Sequence, residues 1–159
     1  MPIRIRWGSK EYRPIAFMLL GACGIFQLFF IFIAQYFFGI GNYLVTIIIP
    51  IAITTALFFA TVITFEAFAQ VERRKTLRRP FSKSKSNLSR LKRFLEFPVV
   101  RPLLIIFIIF ILMFFSSYYF SLIFWDKIIS FLVAENFSAI ICFLIANLLE
   151  KNYAKVRRY

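Results

Sequence analysis

The chain has no histidine, and that absence removes more functions than any residue present suggests. Without imidazole there is no haem held through its usual axial ligand, no His-based metal centre, no Ser-His-Asp set and no imidazole acid or base. Acidic side chains are scarce as well: seven Asp and Glu stand against 20 Lys and Arg, for a net charge of +13. No apolar run holds a pair of carboxylates, and no Gly-rich phosphate loop is visible. The only cysteines, Cys23 and Cys142, lie inside apolar runs with no ligand spacing around them. They read as small packing residues rather than as a disulfide or redox pair. The residues therefore point away from an enzyme and imply no cofactor.

Also missing is any stretch long enough for a soluble domain, which needs on the order of 100 residues of its own. What fills the 159 residues is apolar: 61% are hydrophobic, 23 are Phe and the mean hydropathy is +0.79. Such a chain needs lipid around it. A hydrocarbon core of roughly 30 Å demands about 20 apolar residues per helix, because backbone polar groups there must be satisfied within the segment. Four such runs are present, so the expected fold is an all-α integral membrane protein. The spans are expected at about 14–38, 44–68, 103–124 and 130–149, forming two helical hairpins in a single domain. A tight turn, Gly39-Ile40-Gly41-Asn42, joins the first pair, and Trp125-Asp126-Lys127 joins the second. Pro50 removes one backbone donor from the second span and predicts a kink. The first run is too long for a signal-peptide core and is followed closely by another, so no cleaved leader is expected.

Basic residues fix the expected orientation. Four precede the first span, eleven fall between Gln70 and Arg101, and four follow the fourth span, leaving only Lys127 on the other side. Bias of this kind puts both termini and the 70–101 linker in the cytoplasm. Which membrane is involved does not follow from it.

Small residues recur every fourth position on two spans. Aligning Glu72 with Glu150 sets Ala52, Ala56, Ala60 and Thr64 over Ser130, Ala134, Ser138 and Cys142. Arg13-Pro14 and Arg101-Pro102 likewise open the first and third spans, as two parallel copies of one hairpin would. The first span carries a comparable stripe of Ala16, Cys23, Gly24, Gln27 and Ala34, with Gln27 able to hydrogen-bond across an interface. Such stripes let helix backbones approach where lipid supplies no hydrophobic drive. They serve packing within the chain, docking of a larger membrane subunit, or a homo-oligomer.

Two acids fall within the runs. Glu66 reads as an interfacial residue within reach of Arg73 or Arg74. Glu135 has two placements. Fifteen residues from Glu150 put it roughly 22 Å along the helix, inside a core of about 30 Å, where a carboxylate is costly and often functional. In the other placement the fourth helix begins near Ala134, Glu135 sits in its first turn, and Ile128 to Val133 lie along the membrane surface. The interruption by Glu135 and Asn136 favours this second placement.

The linker carries Leu88, Leu91, Phe94 and Leu95 at helical spacing, opposed by Arg90, Lys92 and Arg93, with Pro98 as a stop. This predicts a basic amphipathic helix lying on anionic lipid headgroups. Nucleic acid is not the expected partner, since stacking aromatics are sparse and both ends are tethered to membrane. Ser82, Ser84, Ser86 and Ser89 would weaken the attachment if phosphorylated.

"QYFFG" closing the first span, "FEAFAQVERRK" leaving the second and "LKRFLEFPVVR" entering the third, in a four-span layout, resemble the light chain of the NADPH oxidase flavocytochrome b. That resemblance implies a non-catalytic four-helix partner stabilising a haem-bearing heavy chain. The family's Pro-rich tail recruits an SH3 domain. Here no PxxP follows the fourth span and the second and fourth segments are longer, so neither the recruitment role nor any site residue carries over. The function expected from residues and resemblance together is a non-catalytic accessory subunit. A membrane-shaping or lipid-associating hairpin protein is the alternative, and a small carrier or channel the third reading, requiring Glu135 to line a path.

Overall fold

The computed structural model describes residues 12–78 and 99–154, and every regular element among them is a helix. Helix α1 (Tyr12–Phe32) runs on into a π-helical turn, Ile33–Phe37, and α2 spans Tyr43–Arg78. Helix α3 spans Val100–Ser121, and α4 (Lys127–Leu149) ends in a second π-helical turn, Glu150–Ala154. All four are long and apolar enough to cross a membrane. Pro14 and Pro102 each stand third in their helix, within the first turn, where a missing N–H leaves no carbonyl unpaired.

The first connection closes where the chain can reverse. Phe38 N donates to Ile33 O and Ile40 N to Ala34 O, both at 3.1 Å. Gly39 takes φ +61°, a left-handed conformation that a side chain would resist. Asn42 then starts α2: its Oδ1 accepts from Val45 N at 3.5 Å and its carbonyl from Thr46 N at 3.1 Å. At the second connection Trp125 N reaches Ser121 O at 2.9 Å. Asp126 is extended, and Ser130 Oγ donates to Trp125 O at 3.2 Å.

Ring contacts set the helix directions. Phe26 stacks on Phe107 at 4.0 Å, Phe30 meets Phe110 at 5.1 Å, and Phe38 stacks on Tyr118 at 3.9 Å. Residue numbers rise together along both helices, so α1 and α3 are parallel. Helix α2 packs along α4 and also touches the Glu150–Ala154 turn, with Glu66 facing Glu150. Those two helices are parallel as well. Two hairpins thus lie side by side in the same direction, as two copies of one unit would, with both connections at one end of the bundle. Small buried residues bring α2 against α4, whereas α1 and α3 stand apart and join through rings.

Two boundaries depart most from the sequence expectation, while α3 is offset by three residues at each end from the expected 103–124. Helix α2 continues ten residues past Phe68, because Val71 to Arg78 holds no Gly or Pro to stop it. Helix α4 begins at Lys127 rather than near Ala134, so Ile128 to Val133 form its first turns instead of a surface segment. The expected amphipathic helix with Arg90, Lys92 and Arg93 lies outside the described residues.

Candidate functional site

The small-residue stripe of α4 is spent inside the chain. Ser130, Ala134, Ser138 and Cys142 are all fully buried. On α2 the stripe turns inward only toward its C-terminal end: Ala60 and Thr64 are buried, Ala56 is half-buried and Ala52 is exposed. On α1, Cys23, Gln27 and Ala34 are buried, while Ala16 and Gly24 are half-buried. Both cysteines are free and buried, each at a helix contact. Cys23 Sγ lies 3.8 Å from Thr61 Oγ1 of α2, and Cys142 Sγ donates to Ile106 O of α3 at 3.7 Å.

Hydroxyls in the bundle are satisfied by their own helices, as apolar surroundings require. Thr54 donates to Pro50 O at 2.8 Å, Thr61 to Phe58 O at 2.8 Å, Thr64 to Ala60 O at 2.8 Å and Ser138 to Ala134 O at 2.6 Å. Asn136, beside Glu135 but exposed, donates to Leu132 O at 2.8 Å.

Against that background Gln27 and Glu135 stand out. Glu135 is 0% exposed and Gln27 2%. Among the described residues, four buried side-chain atoms lack a hydrogen-bond partner: Nε2 and Oε1 of Gln27, and Oε1 and Oε2 of Glu135. The two side chains are neighbours, with the Gln27 amide close enough to act on the carboxyl though short of good hydrogen-bond geometry. Counted from the connections at their shared end, Gln27 is ten residues before Phe37 and Glu135 eight after Lys127. At 1.5 Å per residue these depths are about 15 and about 12 Å, so the pair meets near mid-bundle.

An unpaired amide in such surroundings costs about 1–3 kcal/mol, and an unpaired ionised carboxylate several kcal/mol. No helix needs this pair in order to form. Sequence reading singled out both residues but not their contact, and it favoured an interfacial Glu135. The signal that would have joined them is their equal depth, visible once the hairpins are set parallel. Glu66 is half-buried near Glu150 at the opposite end and is not part of the pair. No group of three metal-binding side chains occurs among the described residues.

A second feature lies on the outside of α1. A Cβ added at Gly21 or Gly24 would meet nothing within 4 Å. Exposed Phe17, Ile25 and Leu28 flank the two glycines. The helix flank there is bare backbone with open space beside it, a feature that reading every fourth residue passed over at Gly21. Comparison with family models, with curated proteins and with solved structures finds no match to this chain.

Proposed function

We propose that this chain is a non-catalytic accessory subunit that braces a larger integral membrane protein, with both termini and the linker in the cytoplasm. The observation that carries this reading is the open flank at Gly21 and Gly24. Two glycines on a lipid-length helix, framed by large exposed side chains and not covered by their own bundle, let a foreign helix approach closely. The α4 stripe is already filled from within, so α1 is the docking element. The resemblance to an oxidase light chain gives one form of partner, a haem-bearing heavy chain. Arg90, Lys92 and Arg93 supply attachment to anionic headgroups, each worth about 1 kcal/mol near the surface.

The test is purification in mild detergent from the native membrane, with identification of whatever co-purifies. Gly21→Leu with Gly24→Leu fills open space, so the chain should stay folded while the partner is lost. A stable, partner-free wild-type protein that bends vesicles would overturn the reading in favour of membrane shaping. A small carrier is the second reading, and the buried Glu135 is what favours it.

A further inference from the structure

We propose that Gln27 and Glu135 form a proton-binding site in the middle of the bundle, in which Glu135 is a carboxylic acid paired with the Gln27 amide. The proposal stands apart from the accessory-subunit reading and holds whether the chain braces a partner or moves a solute.

The argument is one of donors and acceptors. Two side chains from different helices meet at one depth, fully buried, and all four of their polar atoms lack partners elsewhere. A glutamine amide offers donors on Nε2 and an acceptor on Oε1. An ionised carboxylate has only acceptors, so it would engage Nε2, leave Oε1 without a donor, and keep a full charge in apolar surroundings. A carboxylic acid resolves both problems: its O–H donates to Gln27 Oε1 while Gln27 Nε2 donates to its carbonyl oxygen. The basic residues of the described helices, Arg13, Arg73, Arg74, Lys75, Arg78, Arg101, Lys127 and Lys151, all stand toward helix ends, too far along the axis to pair with a mid-bundle acid. A proton is therefore the cation that the pair takes. Loss of that proton to water breaks the O–H···O bond and puts negative charge between α1 and the rest of the bundle.

The other titratable side chains turned toward the interior are Cys23 on α1, Glu66 on α2, Tyr118 on α3 and Cys142 on α4. Arg101 and Lys151 flank the same end as Glu66 and Glu150. All of these persist when Glu135 is replaced, so they set a background that the variants share.

The experiment is infrared spectroscopy of the full chain, purified in mild detergent at neutral pH, in H2O and in D2O. The expected result is a carboxylic-acid C=O band that shifts on deuteration, is lost in Glu135→Gln and moves in frequency in Gln27→Leu. Thermal unfolding supplies a second measurement. The native state holds a proton that the unfolded chain releases, so the wild-type melting temperature falls as pH is raised from mildly acidic to alkaline. In Glu135→Gln, which keeps an amide facing an amide, that part of the fall should vanish. Exchange of sodium for choline at constant pH should change neither readout. Three outcomes would overturn the proposal: no protonated-acid band in the wild type at neutral pH, a melting profile in Glu135→Gln as steep as the wild type's, or sodium stabilisation that disappears with Glu135. Should Glu135→Gln fail to fold, Glu66→Gln serves in its place: the deuteration-sensitive band must persist in that variant, and its loss there would assign the acid to Glu66 and overturn the proposal.

Discussion

Ser138 and Cys142 show how little room a membrane helix leaves when its neighbours come close. Both are fully buried, one bonding back to its own helix and the other reaching a carbonyl of α3. Replacing both with Leu should destabilise the chain by about 1–3 kcal/mol at least, as overpacked cores do, read as a shift in an unfolding titration. The same burial makes a statement about reactivity. Cys23 and Cys142 should resist a maleimide in the folded protein and label fully after denaturation, whereas rapid labelling of either in the native state would contradict their placement. Gly39 belongs to this scale too. With φ at +61°, Gly39→Ala should cost about 1–2 kcal/mol, whereas Gly41→Ala, where φ is not positive and a Cβ meets nothing, should cost little. The sequence made the glycine turn and the stripe residues legible because both are local patterns. It did not make the Gln27–Glu135 contact legible, because hydropathy sums over a window and ignores which face a residue occupies. Asn136 and Glu135 are adjacent, yet one points outward and bonds its own helix while the other points at α1. Read together as an interruption, they moved the start of the helix and hid the acid.

Helices α1 and α2 illustrate two ways of using the same apolar composition. Helix α1 meets α3 through aromatic rings, with Phe30 touching Phe110 at 5.1 Å and Phe114 at 4.7 Å. Lipid is as apolar as the ring contacts that would be lost, so Phe30→Ala sacrifices packing rather than water transfer. It should cost about 1–3 kcal/mol, below the usual figure for such a truncation in water. Crosslinks placed between α1 and α3 should show the two helices loosening in that variant while α2 and α4 stay together. Helix α2, by contrast, lies against small residues and is the longest element. At 36 residues it extends about 54 Å, more than a hydrocarbon core of roughly 30 Å requires. Its span was legible from hydropathy. Its basic extension was not, because charge marks the end of a membrane segment without ending a helix.

For the molecule as a whole, the parallel hairpins put the start of α1, the end of α2, the start of α3 and the end of α4 at one face of the bundle. A reporter fused after Tyr159 or inserted near Ser84 should therefore report one compartment and a reporter inserted at Gly41 the other. Equal signals at Gly41 and Tyr159 would be incompatible with four crossings. A peptide spanning Leu88 to Leu95 should bind anionic vesicles, release as salt screens the attraction over about 10 Å at 0.1 M, and lose binding when Arg90, Lys92 and Arg93 become Gln. Both connections, 38–42 and 122–126, lie at the opposite face and are only a few residues long. Between them, with Lys127 just beyond, they hold one acid and one base. Moving a charged residue through the middle of a bilayer costs about 2.5–3.5 kcal/mol on the insertion scale. The first hairpin thus brings no charge across at its tip, and the second brings one of each sign. For a newly made chain, threading either hairpin tip-first is the inexpensive direction. The reverse would drag nineteen basic groups through lipid, so tip-first entry is the expected direction, set by the cost of biogenesis before the helices ever pack, and it is the orientation that the reporters at Ser84, Gly41 and Tyr159 test.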